Sequence, residues 1–245
     1  MVQHTGVTVA QVQVPADTTE TTQVRQLLNE VPTQDGDQVV ITADAAHTQR
    51  ATAEYIAGER GCDYVLTVKA NQPALLTSVF NHCLPLLRQD PDHVVTERAR
   101  GRISEWSTWI TDATGVDFPH IKQVACIRRN IYTTAGTWIR KEHAWIITSG
   151  DPSRISAADV HTYVRHHWRI ENKSHYVRDT VWREDTQQIY TGSGPQVMAT
   201  LRNLALGVLR LNGINTIKET TEQIARDRTR APHYSLPNVA TRYLG

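Results

Sequence analysis

The chain has 245 residues, 40% of them hydrophobic, with ten prolines and three cysteines, enough for a sizeable core in one large domain or one domain with an insertion. No apolar run approaches the ~18 residues of a membrane span, the N-terminal MVQHTGVTVAQ does not read as a signal peptide, and Cys62, Cys83 and Cys126 lack CxxC spacing. These features argue against a membrane span, and the scattered cysteines favour a reducing cytoplasm with no disulfide framework and no structural zinc. The net charge of +1 is unevenly spread: Met1–Glu97 holds 5 Lys/Arg against 12 Asp/Glu, and Arg98–Gly245 holds 21 against 13. A basic second part suits an anionic partner, or equally an uneven solvated surface.

In chain order, Gly6–Val14 (GVTVAQVQV) alternates apolar and polar residues and predicts a strand. Glu20–Val31 places Val24, Leu27 and Leu28 at helical spacing. Val39–Thr42 is a short apolar run that ends at Asp44, and a helix follows over about Thr48–Arg60. Tyr64–Val68 is a second buried strand, followed by Lys69-Ala70-Asn71-Gln72 and by Pro73, which opens a helix to about Leu87. Strands and helices in alternation predict a parallel or mixed α/β sheet. Val94–Thr148 changes character: it is rich in Val, Ile, Thr, Trp and Tyr, with turns at Gly101, Gly115 and Gly136, and it predicts inserted antiparallel strands. Ser156 and Asp159 form a capping box for a long helix with Val160, Tyr163, Val164, Ile170 and Val177 on its apolar stripe. Pro195 opens another amphipathic helix to about Leu211, and a last one spans about Asn215–Arg226. The boundaries expected from this pattern are 1–92 for a partial α/β core, 93–150 for the β-rich insertion, 151–190 for the core helix and 191–245 for a C-terminal helical region.

Chemistry concentrates in three places. Asp44 follows a buried strand, at the carboxyl edge where open α/β sheets place ligands, although a lone Asp there caps the next helix as often. Lys69, Asn71 and Gln72 end the next strand and should line the same edge, as phosphate and base-edge contacts or as a polar turn. Arg165–Asp179 (RHHWRIENKSHYVRD) sets Glu171 among Arg165, Arg169, Lys173 and Arg178. On a helix Glu171 and Arg178 share a face, a carboxylate for a metal beside a cation for phosphate. His167, Glu171 and His175 also share a spacing, but the HExxH pattern of a zinc site is missing. Carboxylates on separate elements suit Mg²⁺ or Mn²⁺ and phosphodiester chemistry, which normally requires a third acid.

Taken together, TADAAHTQR (Thr42–Arg50), DYVLTVKANQPAL (Asp63–Leu75), RHHWRIENKSHYVRD, Glu184-Asp185 and GPQVMATLRNLALGVLR (Gly194–Arg210) resemble one family. It is the DDE transposases of bacterial insertion sequences, in the branch of the H-repeat-associated proteins. The resemblance implies a ribonuclease-H-like α/β core with a β-rich insertion and C-terminal helices. It further implies that Asp44 and Glu171 are catalytic residues and metal ligands for Mg²⁺ or Mn²⁺. Lys69, Asn71, Gln72, Arg165, Lys173 and Arg178 then contact double-stranded DNA at transposon ends, and a homodimer or an intact transposase is the expected protein partner.

The sequence also departs from the family pattern. The family's first catalytic Asp lies in an Asp-Gly-Lys motif, which occurs nowhere here; the first acidic residue is Asp17. Family patterns Lys-x-Asn-Glu and His-Gly-Arg-x-Glu are reduced to Asp17-Thr18-Thr19-Glu20 and Arg100-Gly101-Arg102-Ile103-Ser104. The expectation is an incomplete core lacking its first strands: an N-terminally truncated transposase inactive alone, or else a DNA-binding remnant that competes for transposon ends.

Overall fold

The β-branched runs and the helical periodicities resolve, in a computed structural model, into six strands, six α-helices and several 3₁₀ turns among the described residues. It describes residues 1–3, 5–15, 17–31, 38–170, 177, 181–182 and 192–234, apart from the side chains of 169 and 170. The chain divides into two units, one of Glu20–Arg25 with Pro32–Arg165 and one of Met1–Thr19, Gln26–Val31 and His166–Gly245.

The larger unit is built on one mixed sheet. β1 (Val40–Ala43) pairs in parallel with β2 (Asp63–Val68). β2 pairs antiparallel with β6 (Trp138–Thr148), and β5 (Gln123–Thr133), β4 (Arg102–Asp112) and β3 (His93–Ala99) follow as an antiparallel meander. The order is thus β1-β2-β6-β5-β4-β3. The four antiparallel strands all fall within His93–Thr148, the segment read from sequence as β-rich, and their turns use Gly101 and Gly136 at φ of 71° and 86°.

Both faces of the sheet carry helices. Trp106 and Trp109 are three apart on β4 and so point to opposite faces. On the Trp109 side, α3 (Pro73–Cys83) packs through Phe80 edge-on to Trp145, ring centroids 5.2 Å apart. On the Trp106 side, α4 (Ala157–Ile170) contributes His161 and Arg165. Each tryptophan is at most 2% exposed, and truncating either to Ala would cost about 3–5 kcal/mol. Between β1 and β2, a short α2 (Arg50–Ala53) runs on as a π-helical turn over Glu54–Glu59, with Ala53 and Ile56 fully buried. The predicted capping box is formed: Ser156 N donates to Asp159 Oδ2 at 2.9 Å and Asp159 N donates to Ser156 Oγ at 3.3 Å.

The smaller unit centres on α5 (Gly194–Leu211) and α6 (Ile217–Arg226) and includes Gln26–Asn29 of a short α1 (Val24–Asn29). Leu206, Leu209, Ile217 and Val177 form its buried cluster, with Trp182, Ile214 and Ile224 against it. Here one expectation fails. Gly6–Val14 is not a strand; apart from a bridge between Val2 and Val7 it has no ladder partner among the described residues. The segment instead follows α5. Gln11 hydrogen-bonds Thr200 and Asn203, and Arg210 donates to the Gly6 carbonyl. Alternation requires only that one side of an extended chain be covered, and a helix can cover it as well as a sheet.

Candidate functional site

β1 and β2 run parallel, so their carboxyl ends emerge at one edge of the sheet. Asp44 is the residue after β1 and Lys69 the residue after β2. The ladder that pairs Ala43 with Leu66 brings the two side chains together, with Lys69 Nζ 3.8 Å from Asp44 Oδ1. Both side chains are more than half exposed, so this ion pair stabilises little by itself. What it does is hold a carboxylate in a cationic setting at an open edge.

The loops around this pair are fixed from below. Asp44 caps the 3₁₀ turn Ala45–His47, its side chain accepting from Ala45 N, so the capping role weighed from sequence is real and coexists with exposure. Asn71 Nδ2 donates to the Ala45 carbonyl at 2.8 Å, linking the segment after β2 to the turn after Asp44. Thr48, fully buried, donates from Oγ1 to the Thr67 carbonyl at 2.7 Å and ties the end of the same turn to β2 itself. Thr48 was not singled out from sequence; its only signal is its place in the TADAAHTQR run. Gln72 is the residue before α3 and makes no side-chain capping bond there. His47 Nδ1 is enclosed without a hydrogen-bond partner among the described residues. Arg50 grips Asp117 through its carbonyl at 2.9 Å and its carboxylate at 3.0 Å, which anchors the start of α2.

Arg165 is elsewhere in the larger unit. Its guanidinium lies 4.3 Å from the Trp106 ring centroid and pairs with both carboxylate oxygens of Glu97, at 2.6 and 2.5 Å. On the same ring, Arg129 approaches to 4.6 Å and pairs with Glu142 at 3.4 Å. Arg165 therefore clamps α4 to β3 and β4, with three-quarters of its side chain removed from solvent. Glu171, Lys173 and Arg178 lie outside the described residues, as does His175. Among the described residues no group of three His, Cys, Asp or Glu side chains is arranged to hold a metal.

Other titratable groups have structural roles. Burial pushes the thiols of Cys83 and Cys126 up to about 12, which leaves them protonated and unreactive. Asp63 sits at the opposite end of β2 from Lys69, where it pairs with Arg154 and accepts from Ser149 Oγ at 3.1 Å. No helix among the described residues is long and apolar enough to cross a membrane.

Comparison with known proteins gives this edge its context. The chain is 28% identical over 213 residues to "Putative protein YbfL" of Escherichia coli K12, covering 82% of this chain and 54% of that protein. Identity and coverage are the same for "H repeat-associated putative transposase YhhI" of that strain. "Putative transposase YncI" of E. coli O157:H7 is 26% identical over 222 residues, 84% of this chain and 53% of its own length. The chain thus spans about half the length of the curated relatives it matches. Residues 1–208 match the model of the transposase DDE domain, so the chain belongs to the DDE transposases, in their H-repeat-associated branch.

Proposed function

We propose that this chain carries part of the active site of a ribonuclease-H-like DNA strand-transfer enzyme, with Asp44 and Glu171 as two of its metal-binding carboxylates. The observation that carries this reading is the Asp44–Lys69 pair at the common carboxyl edge of two parallel strands. The donor chemistry fits a hard divalent cation: an exposed carboxylate on a loop fixed by Asn71 and Thr48, at a position that already attracts a positive charge. Mg²⁺ or Mn²⁺ held there supplies activation of a water or 3′-hydroxyl and neutralisation of the leaving oxygen.

The chain's own residues account for the rest. Lys69 neutralises a phosphate near Asp44, and Asn71 and Gln72 position the strand passing over the edge. Lys173 and Arg178 hold DNA backbone beside Glu171. Arg165 acts indirectly, because its guanidinium is committed to Glu97 and Trp106; it holds the helix that leads toward Glu171. The division into core 1–92, insertion 93–150, core helix 151–190 and C-terminal helices 191–245 follows from the same reading.

Two of the three acids that such chemistry requires are assigned in these 245 residues, so the polypeptide alone is expected not to cut DNA. The test is cleavage of a labelled transposon-end duplex with Mg²⁺ or Mn²⁺. Turnover abolished by Asp44→Ala would refute inactivity while supporting the site. A second reading, a non-catalytic competitor for transposon ends or a partner of an intact transposase, is supported by the basic balance after Arg98. It requires salt-dependent duplex binding without cleavage; binding that ignores salt would refute it.

A further inference from the structure

The antiparallel strands extend past the helix that covers them on one side. α3 lies on the cross-strand row Trp109–Cys126–Trp145. On the same face the register then lays out Val94–Ser107–Arg128–His143, Thr96–Glu105–Asn130–Lys141 and Arg98–Ile103–Tyr132–Trp138, toward the β3–β4 and β5–β6 turns. The face is open to solvent: Trp138 is 59% exposed and Val94 50%, and Arg98, Thr96, Lys141 and His143 are exposed with them.

Its charge is predominantly positive. Arg98, Arg128 and Lys141 stand against Glu105 alone, and Asn130 Nδ2 already donates to that carboxylate at 3.4 Å. Arg128 lies over the Trp109 ring, 4.6 Å from its centroid. Arg98 and Lys141, with Arg100 and Arg102 beside the turn, have no carboxylate partner among the described residues. Tyr132 and Trp138 are neighbours across the β5–β6 ladder, with Arg98 two strands away from Tyr132 in the same row. Adjacent strands are ~4.8 Å apart, so cation and rings fall within ~15 Å. A tryptophan this exposed contributes little to the core.

We propose that this face binds unpaired, single-stranded DNA, with bases stacked on Trp138 and Tyr132 and phosphates neutralised by Arg98 and Lys141. The inference rests on the reading of the chain as one that acts on DNA ends, where strand cutting leaves unpaired nucleotides. Unpaired DNA fits better than duplex because a flat pleated face offers ring surfaces to bases, and a duplex keeps those base surfaces inside its own stack. A duplex would engage only the cations.

The experiment uses the whole chain with a fluorescein-labelled oligothymidylate of fifteen nucleotides, and a duplex of equal length, across a salt series. The expected result is single-strand binding with quenching of tryptophan emission. Trp138→Ala should weaken it by roughly 5- to 150-fold, the span of one lost base stack. Trp138→Phe should recover most of that loss, and neither change should move the thermal midpoint. Arg98→Glu and Lys141→Glu should each reduce the slope of log K against log salt by ~0.7 or more. Unchanged affinity in Trp138→Ala would overturn the proposal, as would polyglutamate competing as well as the oligonucleotide. Duplex binding without single-strand binding would overturn it and leave the proposed function standing. Binding to neither DNA would remove both.

Discussion

Acid should weaken the larger unit through one histidine. His161 on α4 is 5% exposed, with its ring edge-on to Trp106 and His93 at centroid distances of 5.9 and 5.3 Å. Its Nδ1 lies 3.4 Å from Thr108 Oγ1. Burial first, then the charges of His93 and Arg165, push its pKa down from 6.5 to about 4, while Glu97 pulls weakly the other way. In the unfolded chain the ring takes its proton near pH 6.5; in the folded chain it resists until about 4. Between those values the unfolded state binds more protons, so stability rises with pH and is lost on acidification through that window. The full gap is worth at most about 3 kcal/mol. His161→Phe keeps a ring beside Trp106 and removes the titration, at a cost of about 1 kcal/mol for the Thr108 contact. The variant should therefore be slightly less stable at pH 8 and more stable than the native chain near pH 4.5. Urea unfolding followed by tryptophan fluorescence at several pH values reads this directly. Taking the difference between the two proteins cancels other groups, including His82, whose pKa is raised by the Ser78 and Thr114 carbonyls and which works with opposite sign. A difference that stays flat from pH 7.5 to 4 would refute the reasoning.

Three further outcomes follow from the packing. Arg165→Lys keeps the charge but loses the planar contact with Trp106 and the two-oxygen grip on Glu97, and should cost about 1 kcal/mol in the same urea assay; an unchanged midpoint would show that the clamp is idle. Gly150→Ala places a Cβ 2.1 Å from Ile155 Cδ1 and 2.6 Å from its Cγ1, beside a residue only 3% exposed, and should destabilise by about 1–3 kcal/mol, seen as a lower thermal midpoint. Thr48→Val removes the buried bond to the Thr67 carbonyl at nearly constant volume; we expect a loss of about 1–3 kcal/mol, with faster amide exchange in the Ala45–His47 turn.

The edge that joins Asp44 to Lys69 was legible in sequence because it follows from local information: two short apolar runs, each ending in a polar residue, in an α/β order. The Ser156–Asp159 cap was legible for the same reason, being contained within four residues. Arg165 was not. Its partner Glu97 is 68 residues away, and Trp106 reaches it only through the β3–β4 register. A cation in a basic run looks available until a distant carboxylate takes it. Gly6–Val14 misled for a related reason: its alternation is real, but alternation cannot say whether the covering surface is a strand or α5. The open face with Trp138 needed the pairing of four strands, including the irregularity at Ile131 and Tyr132 that brings Trp138 opposite Tyr132.

β1 is four residues long, terminates the sheet, and is held by β2 on one side with no second ladder among the described residues. Strands held in this way open locally at far lower free energy than the β4–β5–β6 centre. Asp44 therefore follows directly on a short terminal strand of the sheet, and the amides of that strand should exchange while those of β5 remain protected. Any partner or ligand that orders β1 would also set the position of the carboxylate, so the reach of this site is governed by how often one short strand comes loose.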